Sequence, residues 1–99
     1  MLLHEFNWKK EVLQSADPVL VDFWAEWCPP CKAMNPAIES LARDFKVCKV
    51  NGDTNQPLAL KYEISSIPAL LIFKDGQVVA RHVGVTTEAN LRAEMHKWK

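Results

Sequence analysis

The chain has 99 residues, of which 12 are Lys or Arg and 12 are Asp or Glu, so its formal net charge is zero. This length suits one domain with one hydrophobic core, and an apolar fraction of 48% excludes a disordered chain. The zero charge gives no electrostatic reason to expect nucleic acid or an anionic membrane as a partner. No apolar run approaches the roughly 20 residues that a membrane-spanning helix needs. We therefore expect a single globular domain over residues 1–99.

The amino-terminal segment predicts a short strand followed by a helix. Residues 1–5 reach a charged side chain too early for a secretory signal, so with Met1 as the natural start we expect a cytoplasmic protein. Residues 2–4 are apolar enough for a stub of strand. Asn7 is a suitable N-cap, and Trp8 and Val12 share a helical face, which predicts a helix over about residues 8–15.

The next two elements surround the most informative part of the chain. Residues 19–25 form a nearly continuous apolar run, which is typical of a strand buried on both faces, and only Asp22 interrupts it. Residues 29–45 then carry apolar side chains at helical spacing. They predict a long amphipathic helix, and Pro36 predicts a kink inside it.

The remaining elements complete an alternating pattern. The sequence predicts a strand over 46–51, a helix over 57–62, a strand over 69–73, a turn at 75–76, a strand over 77–83 and a helix from 87 to about 98. Strands separated by helices pair in parallel through right-handed crossovers, whereas the late hairpin must be antiparallel. The predicted fold class is α/β, with a mixed sheet of four to five strands and helices on both faces.

The chemistry centres on a Cys-Pro-Pro-Cys sequence between the buried strand and the long helix. The spacing puts Cys28 and Cys31 one helical turn apart, within reach of a disulfide. Cys28 falls at the helix N-terminus, where free N–H groups and the helix dipole stabilise a thiolate. Pro29 and Pro30 fit a first turn, which has unpaired N–H groups, but they offer none to Cys28, so the Cys31 N–H is the expected donor.

Other interpretations of the cysteines remain open at this point. A zinc site needs four ligands, and neither Cys48 nor the scattered His4, His82 and His96 have a supporting spacing. The pair can also be an inert feature at a helix end, since a lone C-x-x-C is only moderately specific. Cys48 lies on a predicted strand and is flanked by Val47 and Val50, and we interpret it as a buried structural thiol.

Several separate motifs resemble the thioredoxin family. Residues 21–32, with the sequence VDFWAEWCPPCK, are similar to its active-site signature. Ser66-Ile67-Pro68-Ala69 resembles its cis-proline loop, Phe73 to Gly76 its hairpin, and Val83-Gly84 its third substrate-contact loop. The resemblance extends from about Phe6 to the end of the chain and implies a thioredoxin-like fold. The chain departs from the usual Gly-Pro between the cysteines, and its first strand is short.

The resemblance implies roles for four residues. Cys28 would be the nucleophile and Cys31 the resolving thiol. Asp22, a carboxyl expected to have a raised pKa because it is buried, would accept a proton from Cys31. The alternative is a frayed strand with Asp22 in solvent. Lys49 matches the lysine that lies near this acid in the family, although it can also be an ordinary exposed strand residue.

A second set of residues is implied to bind the substrate. Trp27 is expected to form an exposed lip, Ile67 to pair with the substrate backbone before a cis Pro68, and Gly84 to allow close backbone approach, unless it is a simple turn glycine. The full predicted set is Trp27, Pro29, Pro30, Ile67, Pro68, Val83 and Gly84. Trp24 is expected to pack behind the cysteines.

The implied activity is reduction of disulfides in partner proteins by a monomer with no bound cofactor. The Cys28–Cys31 disulfide would be the redox-active group, regenerated by a flavin-dependent electron donor similar to thioredoxin reductase. We expect no nucleic-acid or membrane partner. Two alternatives remain: an oxidase or isomerase with the same chemistry, and a thioredoxin-like binding module in which the cysteines are incidental.

Overall fold

The chain forms five strands and five helical segments in the predicted order, except that the predicted long helix is divided in two, in a computed structural model that describes all of residues 1–99. The strands are β1 (Leu2–Leu3), β2 (Val19–Trp24), β3 (Lys46–Asn51), β4 (Ala69–Lys74) and β5 (Gln77–Val83). The helices are a π-helical turn (Lys9–Leu13), α1 (Pro29–Ala33), α2 (Asn35–Leu41), α3 (Gln56–Lys61) and α4 (Glu88–Lys97). None of the helices combines the length and apolar character needed to cross a membrane.

The strands form one mixed sheet in the order β1-β3-β2-β4-β5. β1 and β2 run parallel to β3, β4 runs antiparallel to β2, and β5 runs antiparallel to β4. β2 therefore lies at the centre of the sheet, with five of its six residues buried. This confirms both the mixed α/β sheet and the assignment of residues 19–24 as a strand covered on both faces.

Alternate residues of the central strands contribute to two separate cores. Leu20 packs with α2 and α4 on one face of the sheet, whereas Val21 and Phe23 pack with the π-helical turn and residues of α3 on the other. Because side chains alternate along a strand, Asp22 shares its face with Leu20. The carboxyl therefore lies on the side of the sheet that α2 covers.

The predicted long helix over residues 29–45 is wrong in continuity and length. It is broken at Met34 into α1 and α2, and the chain turns over residues 42–44. Pro36 has no N–H to donate to the Lys32 carbonyl, and its ring crowds that carbonyl. At the break, the Met34 N–H bonds instead to the Cys31 carbonyl, 3.2 Å away. The proline thus interrupts the helix, where the sequence predicted only a kink.

The predicted first helix is also shorter than expected. One wide turn forms, closed by the Gln14 N–H donating to the Lys9 carbonyl over 2.8 Å. The predicted cap is present, because Asn7 Oδ1 accepts a hydrogen bond of 2.9 Å from the Lys10 N–H. At the other end of the chain, Thr87 caps α4 by accepting from the Asn90 N–H at 3.1 Å.

Candidate active site

The cysteine pair lies where β2 leaves the sheet and α1 begins. Cys28 is the N-cap residue, with extended backbone angles, and the two prolines fill the first helical positions. The Cys31 N–H donates to Cys28 Sγ over 3.2 Å, so it is the backbone donor that the proline pair left available. A helix start with aligned N–H groups favours negative charge, which stabilises a thiolate at Cys28 in the reduced protein.

The two sulfurs are joined in a disulfide whose Cα atoms are 5.3 Å apart. Cys28 is 3% and Cys31 2% exposed, and they form a small apolar cluster with Ala25. Trp24 and Ile67 pack against this cluster, so Trp24 has the predicted position behind the cysteines. Trp24 and Ile67 therefore cover much of the disulfide, and little of either cysteine reaches solvent.

The outer rim of the site brings together residues that are distant in sequence. Trp27 is exposed, and its indole Nε1 donates to Asp53 Oδ2 over 2.8 Å, which fixes the ring. The Ile67–Pro68 peptide bond is cis, as the family resemblance implied, and the Ile67 carbonyl oxygen lies 3.9 Å from Cys28 Sγ. The Gly84 N–H donates to the Pro68 carbonyl over 2.8 Å. The cis-proline loop thus lies next to Cys28 Sγ and is joined through Pro68 to Gly84.

Gly84 has a backbone conformation that explains its residue type. Its φ is +93°, in the left-handed region that side chains disfavour, and a Cβ built on it meets nothing within 4 Å. The neighbouring Val83 is exposed. Backbone approach at Gly84 is therefore free of steric obstruction.

Asp22 is a buried carboxyl without a hydrogen-bonding partner. Its side chain belongs to a residue only 1% exposed, and neither Oδ1 nor Oδ2 receives a hydrogen bond. Its strand neighbours in register are Lys49 on β3 and Leu70 on β4. Loss of solvation disfavours the charged form and raises the pKa of Asp22 from 3.8 to about 6, while the charge of Lys49 acts in the opposite direction. The prediction of a buried acid is confirmed, and the frayed-strand alternative is wrong.

Lys49 lies beside this acid but makes its contacts elsewhere. It is 9% exposed, so it is not an ordinary surface lysine. Its Nζ donates to Asn35 Oδ1 over 2.8 Å and sits 4.8 Å from the centroid of the Trp24 ring. The Asn35 amide and the Trp24 ring hold the Lys49 ammonium in place. Lys49 forms no salt bridge with Asp22.

We expect Asp22→Ala to change stability in a pH-dependent manner. Asp22 ionises near pH 3.8 in the unfolded chain but only near pH 6 in the folded protein. Between these two pH values the folded state therefore binds more protons than the unfolded state. Stability is therefore lost as pH rises through this window, by on the order of 3 kcal/mol above pH 6. Urea unfolding of the oxidised protein should favour the variant over the natural chain by about 2.4 kcal/mol more at pH 8 than at pH 4, because Asp22 is already partly ionised at pH 4 in the unfolded chain. Equal differences at both pH values would contradict a charged, buried Asp22.

Sequence reasoning missed two residues of the site. Asn35 holds the Lys49 ammonium, and Asp53 holds the Trp27 indole. Asn35 lies four residues after Cys31 in the segment predicted as one helix, a spacing that would place the two on one face of a continuous helix. Asp53 follows the predicted strand over residues 46–51, and no local pattern links it to a tryptophan 26 residues earlier.

The third cysteine and the histidines lie apart from this site. Cys48 is free and fully buried in β3, and desolvation raises the pKa of its thiol to about 11, which confirms it as a structural thiol. No three His, Cys, Asp or Glu side chains come together in an arrangement that could hold a metal ion.

The two cysteines at the start of α1 can exchange two electrons with another disulfide. The chain is therefore a thiol–disulfide oxidoreductase. The thioredoxin family model matches residues 1–97. Thioredoxin from Pseudomonas aeruginosa is 46% identical over 91 residues, which cover 88% of this chain and 84% of that protein. Thioredoxin C-2 from Corynebacterium nephridii is 47% identical with the same coverage.

A solved structure supports the same assignment. A mutant thioredoxin from Halobacterium salinarum superposes with a TM-score of 0.86 at 33% identity, covering 99% of this chain and 88% of that one. The chain belongs to the thioredoxin family. Its activity is that of a protein-disulfide reductase, and thioredoxins need no bound cofactor for it. Members of the family usually work with a reductase and with disulfide-containing substrates.

Proposed function

We propose that residues 1–99 act as one domain that reduces disulfides in partner proteins, with Cys28 as nucleophile and Cys31 as resolving thiol. One observation carries this assignment of roles: Cys28 Sγ accepts the Cys31 N–H at the start of α1 and lies next to the open rim at Ile67. Cys31 is one turn further into the helix. The sulfur nearer the rim is therefore the one that a substrate disulfide meets.

In the first step the Cys28 thiolate attacks one sulfur of the substrate disulfide. A Cys28–substrate disulfide forms, the substrate S–S bond breaks, and the departing substrate thiolate takes a proton from solvent. The attack is supported by the helix dipole and by the Cys31 N–H, which stabilise the thiolate before attack.

In the second step Cys31 attacks Cys28 Sγ. The Cys31 thiol first loses its proton to the Asp22 carboxylate, and the new Cys28–Cys31 bond releases the second substrate thiolate. Overall, two electrons pass from the cysteine pair to the substrate. Asp22 is suited to this role because both of its oxygens lack partners, and because its pKa of about 6 leaves it ionised and basic near neutral pH.

Lys49 is proposed as a positioning residue that helps to keep Asp22 ionised, so that Asp22 can act as a base. Its ammonium, held by Asn35, lowers the pKa of Asp22 against the larger effect of burial. Without this charge, Asp22 would be protonated to a greater extent at neutral pH and less able to accept the Cys31 proton.

Substrate binding is proposed to rely on backbone contacts. The Ile67 backbone would pair with an extended substrate segment, while Gly84 would permit close approach opposite it. Trp27, Pro29, Pro30, Pro68 and Val83 would complete the contact surface. Recognition of main-chain groups is tolerant of substrate sequence and needs no strong field of either sign, in keeping with a net charge of zero.

Electron supply and location are part of the same proposal. We infer that a flavin-dependent reductase of the thioredoxin reductase type regenerates the Cys28–Cys31 dithiol, so that the protein acts in electron transport as a monomer in the cytoplasm. A protein that is kept reduced in this way fits a reducing compartment better than an oxidising one.

The reduction potential separates a reductase from an oxidase or isomerase. We expect the Cys28–Cys31 couple to equilibrate below the glutathione couple. The expected midpoint potential is about −270 mV, a value that holds for thioredoxins in general and is not calculated from the geometry of this site. Titration against dithiothreitol and glutathione mixtures, followed by trapping of free thiols, measures it. A midpoint near about −180 to −120 mV would favour the isomerase or oxidase alternative.

A further inference from the structure

The break between α1 and α2 determines where the Asn35 side chain lies. Asn35 is the first residue of α2 and directly follows Met34, at which α1 has ended. Its side chain does not cap the helix, because the cap position belongs to Met34 and carries no side-chain hydrogen bond. Asn35 Oδ1 instead accepts a hydrogen bond of 2.8 Å from Lys49 Nζ. The amide therefore ties the start of α2 to the buried side chain of a lysine on β3.

The Lys49 ammonium has two partners, and neither is the acid beside it. Lys49 and Asp22 are in register on adjacent parallel strands, which lie about 4.8 Å apart, so their side chains start close together. The ammonium nevertheless bonds to Asn35 Oδ1 and lies 4.8 Å from the centroid of the Trp24 ring. It forms no salt bridge with Asp22. The amide and the ring thus draw the ammonium away from a carboxyl group that lies next to it in the sheet.

A base that is to accept a proton from Cys31 needs a free oxygen. Both oxygens of Asp22 are buried and without partners. A direct ion pair with Lys49 would occupy one of them and would make the carboxylate a weaker base, because the nearby positive charge stabilises its ionised form. Lys49 on β3 and Cys31 on α1 are the titratable groups that bear on Asp22 in this mechanism. The other elements packed on this side of the sheet contribute apolar side chains: Ile38 and Leu41 of α2, Leu70 of β4, and Leu91 and Met95 of α4.

We propose that Asn35 is a positioning residue for the resolving step: its amide oxygen keeps the Lys49 ammonium from pairing with Asp22, so that the carboxylate stays free for the Cys31 proton. In this step the proton passes from Cys31 Sγ to an Asp22 oxygen, and the Cys31 thiolate then displaces the substrate sulfur from Cys28. Without the amide, the buried ammonium lacks an acceptor and turns to the free oxygens of Asp22. The inference rests on the proposed roles of Asp22 and Cys31.

The first test follows the ionisation of Asp22 directly in Asn35→Ala. The ¹³C NMR signal of the Asp22 carboxyl carbon is titrated in the oxidised protein, in which the cysteines do not ionise, and is assigned by its absence from Asp22→Asn. The titration midpoint should lie about one pH unit below that of the natural chain, because a direct ion pair favours the charged carboxylate. A midpoint that is unchanged or higher would overturn the proposal and leave the role of Asp22 as base intact.

Three further variants separate positioning from a general structural effect. Asn35→Asp keeps an acceptor for Lys49 and adds a negative charge, so its midpoint should lie above that of the natural chain. This variant keeps the proposal testable even if Asn35→Ala does not fold, and a lower midpoint would contradict it. In a Lys49→Met background, Asn35→Ala should cause no further shift, and an undiminished shift would show that Asn35 does not act through the ammonium. Asn90→Ala removes an exposed amide from α4 and should titrate like the natural chain.

The second test measures the resolving step itself near neutral pH. The reduced protein is mixed with a peptide that contains one disulfide, and acid-quenched samples are analysed by mass spectrometry for the Cys28–peptide disulfide. This intermediate should decay about threefold more slowly in Asn35→Ala, whereas its formation should keep the natural rate, since general-base efficiency follows base strength. If the Asp22 midpoint falls as expected but the decay is unchanged, Asp22 is not the base. That result would contradict the proposed function at this step and, with it, the role of Asn35.

Discussion

Cys28→Ser is expected to lose disulfide reduction by at least about 10⁴-fold. A serine hydroxyl at the start of α1 remains protonated at neutral pH, and an oxygen nucleophile cannot form the mixed disulfide that transfers the electrons. The loss should be seen in turnover of a protein disulfide with dithiothreitol as the electron source, after subtraction of the rate with dithiothreitol alone.

The third cysteine provides the matched control for Cys28. Cys48→Ala removes a thiol that is 0% exposed and lies in β3, so it should retain activity and lose only about 1 kcal/mol of stability. Substantial reductase activity in Cys28→Ser would contradict its role as nucleophile. Full natural activity in a Cys28→Ser/Cys31→Ser double variant would support the non-catalytic binding module instead.

Cys31→Ser should convert the protein from a catalyst into a trap for its substrates. Attack by Cys28 still forms the mixed disulfide, but no second thiol is present one turn further along α1 to resolve it. Multiple turnover should fall by roughly 10³-fold or more, while nearly every chain becomes covalently linked to one substrate molecule. Mass spectrometry of the non-reduced mixture measures the added mass.

Two controls test whether the trapped species is the mixed disulfide between Cys28 and the substrate. Dithiothreitol should release it, and the Cys28→Ser/Cys31→Ser double variant should form none. If Cys31→Ser released reduced substrate at the natural rate, another group would have to resolve the intermediate. Cys48 is poorly placed for that role, because burial both hides its thiol and raises the pKa to about 11.

Local patterns in the sequence predicted most of the fold. The apolar run of β2 and the turn before β5 are strong signals because each depends only on neighbouring residues. The break at Met34 was harder to predict, since a proline in a helix can either kink or end it, and the packing of the following turn decides which occurs. The position of the cysteine pair followed from its place between a strand and a helix.

The sequence by itself determined the reactive groups: two cysteines one turn apart, two prolines that leave only the Cys31 N–H as donor, and an acid within an apolar strand. These features depend on spacing along one short segment. Only the tertiary structure decided which distant groups complete them. Lys49 is held by Asn35 rather than by Asp22, and Trp27 is held by Asp53. Such pairings arise from sheet order and helix placement, which no local pattern specifies.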